Sequence, residues 1–151
     1  GRKFKAVIPG GSSVPIMTAA ETEDCCLDYE GVVARGSMLG SAGMIVMDDS
    51  TDMVYQIWRL ARFYAHESCA QCTQCREGTA WTTKILERIL AGKGKAADLD
   101  LLLSLSENMT GKTICVLSDS CAAPIVSGIA KFRSEFDAYL SGARQPALAM
   151  A

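Results

Sequence analysis

Three cysteines at two-residue gaps, Cys69, Cys72 and Cys75, constrain this chain more than any other feature in it. A C-x2-C-x2-C run lets one loop fold round a single small inorganic object, each thiolate facing inward. A cubane iron–sulfur cluster has an iron at each of four corners, and each iron needs a thiolate. The run supplies three, so a fourth must come from elsewhere in the chain. Zinc also takes four thiolates, usually from two well-separated C-x2-C pairs. Triplet spacing therefore favours a [4Fe–4S] site over a structural four-cysteine zinc module.

The remaining cysteines are Cys25, Cys26, Cys115 and Cys121. Cys115 and Cys121 both follow the third expected helix, and an antiparallel arrangement brings either back to the triplet. Spacing alone does not choose between them. Cys25 and Cys26 are a third option, but adjacent thiols suit one cluster poorly. Those not used are expected to be small buried hydrophobes. The triplet sits between two expected helices, the second opening near Cys75. Amides and the positive dipole end of a helix start stabilise thiolates and a negative cluster. Ser68, Thr73 and nearby amides are placed to hydrogen-bond the sulfurs and tune a potential.

Seven cysteines in 151 residues is an odd count, clustered rather than spread. A secreted disulfide scaffold is usually shorter, with paired cysteines throughout. A reducing, intracellular setting fits better. A net charge of −2 makes no electrostatic case for nucleic acid or an anionic membrane as partner. No apolar run is long enough for direct membrane insertion. The basic start "GRKFKAVIPGGSSVPIM" raises a signal peptide, but "PGGSSVP" breaks its apolar run, which argues against one.

The chain reads as α+β, in two halves. Over residues 1–50, Lys3–Pro9 predicts a strand ended by a turn at Gly10–Gly11. Leu27–Gly36 predicts a short helix with Gly36 at its C-cap. Gly43–Asp49 predicts a second, mostly buried strand. Two strands and a helix bury too little to stand alone, so further sequence is expected upstream. Over residues 51–140 the pattern turns helical. A first helix starts at a Ser50 or Thr51 cap, with Val54, Ile57, Trp58 and Ala61 inward. A second opens near Cys75 and ends at Gly92, burying Trp81, Ile85, Leu86, Ile89 and Leu90. A third runs from about Ala97 to Met109, with Leu99, Leu102, Leu103 and Met109 on one face and Gly111 just beyond its end. A fourth carries Pro124 in or near its first turn, where proline is tolerated. Ser134 is placed to cap a short last helix, and residues 141–151 read as a disordered tail. The second half is expected to be a four-helix bundle.

"HESCAQCTQCREGT" followed by "KTICVLSDSCAAP" resembles the cluster-binding domain of the NADH-binding flavoprotein subunit of respiratory complex I (NADH:quinone oxidoreductase). "KAVIPGGSS" and "GSMLGSAGMIVMD" resemble the later part of that family's soluble-ligand-binding (SLBB) β-grasp domain. The likeness covers residues 3 to about 140, and its motifs occur in order. NAD-linked hydrogenase and formate dehydrogenase subunits share the pattern. By this resemblance the fourth ligand is Cys115, in the T-I-C element at Thr113–Ile114–Cys115, and Cys121 replaces a small residue. Ala70 stands where the family commonly has Gly, and Gln74 where it commonly has Pro.

The resemblance implies an electron relay. NADH reduces FMN in an upstream domain, and electrons pass singly through the [4Fe–4S] cluster to a neighbouring iron–sulfur subunit of the peripheral arm. That flavin and nicotinamide domain has no counterpart here, since "GSMLGSAG" lacks the Gly-Lys-Ser/Thr of a phosphate loop. The chain is expected to be part of an oxidoreductase without oxidising NADH by itself. Its implied place is peripheral, on the cytoplasmic face of a bacterial inner membrane. His66 reads as an ordinary helix-end residue rather than a hydrogen-bond donor to the cluster, Arg76 as offsetting cluster charge, contacting the next subunit or forming a surface pair with Glu77, and Trp58 and Trp81 as core.

Overall fold

The computed structural model describes residues 1–147. The chain divides into two compact units, residues 1–51 and residues 52 onward.

The first unit is a three-stranded antiparallel sheet with short helices. Strand β1 (Phe4–Ile8) lies between β2 (Met17–Thr18) and β3 (Ile45–Asp48). Ala6 pairs with Thr18 on one side, and Val7 pairs with Val46 on the other. Expected strand ends shrink by one or two residues. β3 is not mostly buried: Ile45 is 40% and Val46 67% exposed, and only Met47 is buried. It is an edge strand, and a short apolar run does not reveal whether both its faces are covered. β2 and the single turn α1 (Ala19–Thr22) are too short to leave a periodic pattern. Thr18 and Glu21 form a reciprocal capping box on α1. Helix α2 (Tyr29–Ala34) is capped by the Asp28 side chain and ends at Arg35, with Gly36 one place beyond. Val7, Met17 and Val32 form the core between sheet and helix.

The second unit is all helix: α3 (Met53–Glu67), α4 (Thr73–Leu90), α5 (Ala97–Met109), α6 (Leu117–Lys131) and α7 (Arg133–Leu140). The cap of α3 is Asp52, not Ser50 or Thr51; its carboxylate accepts from the Tyr55 amide at 3.1 Å. The same carboxylate accepts from the Tyr139 hydroxyl at 2.5 Å and pairs with Arg144 at 3.4 Å. Burial, with Asp52 beside it, raises the Tyr139 phenol above its ordinary value. Arg144 also pairs with Glu135 and lies over the Tyr139 ring. The Ala147 amide donates to the Leu90 carbonyl. Residues 141–147, expected to be disordered, carry no helix or strand but are tied down by these bonds. Residues 148–151 of that expectation lie outside the described residues.

Helix α5 keeps its predicted bounds, and α4 opens two residues early, at Thr73. Pro124 lies well inside α6 and is buried, not in the first turn. Its ring removes one backbone bond, which the packing of α6 against α3 and α5 overcomes. Phe132, not Ser134, precedes α7.

Helix α4 buries Ile85, Leu86, Ile89 and Leu90 as predicted, together with Gly78, Thr79, Thr82 and Thr83. This small-residue face admits close neighbours. A Cβ on Gly78 would overlap Met109 Sδ and stand 2.7 Å from its Cγ, and Met109 is itself buried. Trp81 is displaced from the core and 52% exposed, whereas Trp58 is buried and donates to Glu87 at 3.3 Å.

The α4–α5 connection is held by Asp98. Its carboxylate accepts from Arg88 at 2.5 and 3.1 Å and from the Lys95 amide at 2.8 Å. Burial opposes its charge, but Arg88 and the amide outweigh burial and hold the carboxyl below its ordinary value. A carboxyl depressed by folding stabilises above its unfolded pKa and loses that contribution as pH falls through the folded value. Because Arg88 is partly solvated, Asp98→Asn is expected to cost only about 1 kcal/mol at pH 7. Urea unfolding should show that gap closing below about pH 4.

Candidate metal centre

The triplet occupies the turn from α3 into α4. Cys69 is exposed, Cys72 half-buried at the N-cap of α4, and Cys75 buried in its first turn. All seven cysteines are free thiols. Cys72 makes no side-chain cap bond, so the first amides of α4 have no side-chain cap acceptor. Ser68 Oγ lies 3.3 Å from Cys75 Sγ.

Between Cys69 and Cys72 the backbone turns sharply at Ala70, whose φ of +62° is the left-handed region. A side chain there costs about 1 kcal/mol or more. Two bonds hold the turn. The Ala70 amide donates to Ser68 Oγ at 3.3 Å, and Arg76 donates to the Ala70 carbonyl at 2.9 Å. Arg76 also pairs with exposed Glu77. It is therefore more than a surface pair, since it also staples the triplet turn. His66 is exposed in the last turn of α3.

Cys115 lies in the loop between α5 and α6, forty positions beyond Cys75. The Ile114 amide donates to Cys72 Sγ at 3.4 Å, so this loop meets the triplet. A small network fixes it. Thr113 donates to the Cys115 carbonyl at 2.8 Å and shares a 2.6 Å bond with buried Ser118. Ser118 also reaches the Met109 carbonyl, and Asp119 accepts from the Gly111 amide. Cys115 is exposed.

Cys121 differs. It is fully buried on α6. Burial, with the Cys75 sulfur adding to it, pushes its thiol up to about 12. The buried-hydrophobe expectation suits Cys121, and half-buried Cys25 packs against the Val7–Met17–Val32 core, but Cys26 is exposed.

Among the described residues, no three His, Cys, Asp or Glu side chains gather as they would round one metal ion. A cubane makes a different demand, since each thiolate serves its own iron. Four free thiols, a helix start with free amides and donors at two sulfurs fit such a group. Sequence reasoning did not find the Arg76 staple or the Thr113–Ser118 network. The one available signal was Ala70 at a position where glycine is common.

Residues 55–139 match the NADH-ubiquinone oxidoreductase-F iron-sulfur binding region. One of the NADH-quinone oxidoreductase F subunits of Rhizobium meliloti (strain 1021) is 48% identical over 132 residues, covering 87% of this chain and 30% of that protein. The NADH-quinone oxidoreductase F subunit of Streptomyces coelicolor (strain ATCC BAA-471 / A3(2) / M145) is 46% identical over 142 residues, covering 94% of this chain and 31% of that one. The crystal structure of an NAD+-reducing [NiFe]-hydrogenase in the H2-reduced state superposes with a TM-score of 0.82 at 32% identity, over 92% of this chain and 24% of that chain. A mixed, helix-rich fold with a small antiparallel sheet is thus shared with a redox enzyme. The chain belongs to the NADH-ubiquinone oxidoreductase-F iron-sulfur binding region family. It spans about a third of the length of the curated relatives it matches.

The strained turn yields a test. Ala70→Gly is expected to raise unfolding stability by about 0.5–1 kcal/mol, the relief of strain less the entropy of glycine. Chemical denaturation of the two proteins measures it.

Proposed function

We propose that this chain is the electron-transfer portion of an NADH dehydrogenase flavoprotein subunit, with Cys69, Cys72, Cys75 and Cys115 holding one [4Fe–4S] cluster. The observation that carries this reading is the Ile114 amide on Cys72 Sγ, which joins the T-I-C loop to the triplet across 42 positions. When bound, the cluster supplies reversible one-electron transfer.

The chain's own residues supply the cage. Cys72 and Cys75 stand at the N-terminal end of α4, where the helix dipole is positive and suits a negatively charged cluster. With Cys75 ionised, only the Ser68 hydroxyl has a proton to give across their 3.3 Å contact. Arg76 and the Thr113–Ser118 network hold the two ligand loops rigid. Cys121 is fully buried on α6 and is read as part of the core.

Residues 1–50 are read as the C-terminal part of an SLBB-type β-grasp domain, and residues 51–140 as the cluster-binding helical bundle. FMN and NADH belong to an upstream domain of the parent subunit, and the next acceptor is a neighbouring iron–sulfur subunit of complex I. A hydrogenase or formate dehydrogenase assembly uses the same relay. No helix among the described residues is long and apolar enough to cross a membrane, which agrees with a peripheral place on the cytoplasmic face of the inner membrane.

Anaerobically purified chain is expected to contain iron and acid-labile sulfide and to give a reduced-state EPR signal. Cys115→Ser should lose all three, and Cys121→Ser should keep them. Stoichiometric zinc without sulfide, or the reverse pattern in the two variants, would overturn the assignment. NADH oxidation by this chain at the rate of a whole flavoprotein subunit would overturn the relay.

A second test concerns tuning. A hydrogen bond to a ligand sulfur favours the more negative, reduced state. Ser68→Ala should therefore lower the midpoint potential in an EPR redox titration while leaving the iron and sulfide content unchanged.

A further inference from the structure

Helix α3 buries one face through Val54, Ile57, Trp58, Ala61 and Tyr64. Arg59, Arg62, Phe63 and His66 recur at helical spacing on the other face, and all four are exposed. Together they line one open hollow of about 440 Å³. We propose that this face docks an acidic segment of a partner protein, with carboxylates on the two guanidiniums and an apolar side chain against the Phe63 ring.

The two arginines stand out by what they lack. Every other arginine of the chain bonds a carboxylate or a backbone carbonyl. Arg59 and Arg62 have no hydrogen bond or ion pair among the described residues. Helix spacing explains why: none of the residues three or four places from either arginine is acidic. Like charges at that spacing destabilise a helix, so the fold gains nothing from the pair. A carboxylate from outside reverses that sign.

The face is also held in shape. The Arg62 guanidinium lies 5.6 Å from the centroid of the Trp58 ring, and Trp58 is fixed by its bond to Glu87. The Phe63 ring is 50% exposed and stands edge-on to buried Tyr64, with centroids 5.2 Å apart. Arginine and aromatic side chains of this kind are the usual anchors of protein interfaces.

The occupant follows from charge and shape. A planar guanidinium matches a carboxylate at two points. An anionic membrane or a nucleic acid calls for a longer basic cluster, whereas here two arginines stand in a chain of net charge −2. An open hollow that sets an aromatic ring beside the charges suits a protein segment carrying acidic and apolar groups together. His66 precedes Cys69 by three residues, so the partner is brought to the triplet turn. Docking itself needs no bound cluster.

The test titrates a short fluorescein-labelled peptide, Glu alternating with Leu, against the anaerobic full chain at low salt. Anisotropy gives the affinity. The imidazole C–H resonances of His66, the single histidine, give the place. The peptide should bind, shift those resonances, and weaken as salt rises. Arg59→Gln/Arg62→Gln should weaken binding about tenfold, the sum of two exposed ion pairs. Phe63→Ala, which leaves every charge in place, should weaken it too, and a peptide with Gln for Glu should not bind. All three substituted positions are exposed, so far-UV CD and iron content should match the wild type, and loss of docking is read apart from loss of the cluster. Unmoved His66 resonances, wild-type affinity in either variant, or tighter binding to phosphatidylglycerol vesicles than to the peptide would overturn the proposal.

Discussion

The helical unit depends on how closely α4 and α5 approach each other at Gly78. Met109 occupies the space a Cβ would fill. That contact ends α5 near the start of α4, so the chain leaving α5 passes the triplet. The buried Ser118 hydroxyl then links Met109 and Thr113, and Thr113 holds the Cys115 carbonyl. One missing methyl group thus sets where the T-I-C loop lies. Filling a buried site of this kind typically costs about 1–3 kcal/mol, and here it would also move the loop that carries Cys115.

The opposite side of the helical unit rests on polar rather than apolar contacts. Asp52 caps α3, takes the Tyr139 hydroxyl, and pairs with Arg144, which also reaches Glu135. Glu135 in turn accepts from the Met53 amide. The start of α3, all of α7 and the segment after it are therefore joined by a single cluster of charges. The carboxylates meet orphan amides at a helix start, and Arg144 lies between them.

Periodicity made the helical half readable. The inward faces of α3 and α5 follow from Val54, Ile57, Trp58, Ala61, Leu99 and Leu102, all of them buried. It failed where burial is not apolar. The threonine face of α4 is buried through hydroxyls that bond carbonyls one turn back, as Thr79 does to Cys75 and Thr83 to Thr79. Trp81 looked like core because it shares a stripe with Ile85, yet its position faces solvent. The triplet itself was legible from spacing. Its supports were not, since a backbone angle at Ala70 and a side-chain bond from Arg76 leave no trace in a hydrophobic pattern. The sheet half was less readable, because its strands and helices are too short to repeat.

The amide of Ile114 on the sulfur of Cys72 has a consequence for assembly order. The triplet turn is local and forms with little loss of chain entropy, but its closing wall lies 42 positions away. By chain entropy that wall is expected to close with the pairing of α4 and α5, after the local turn has formed.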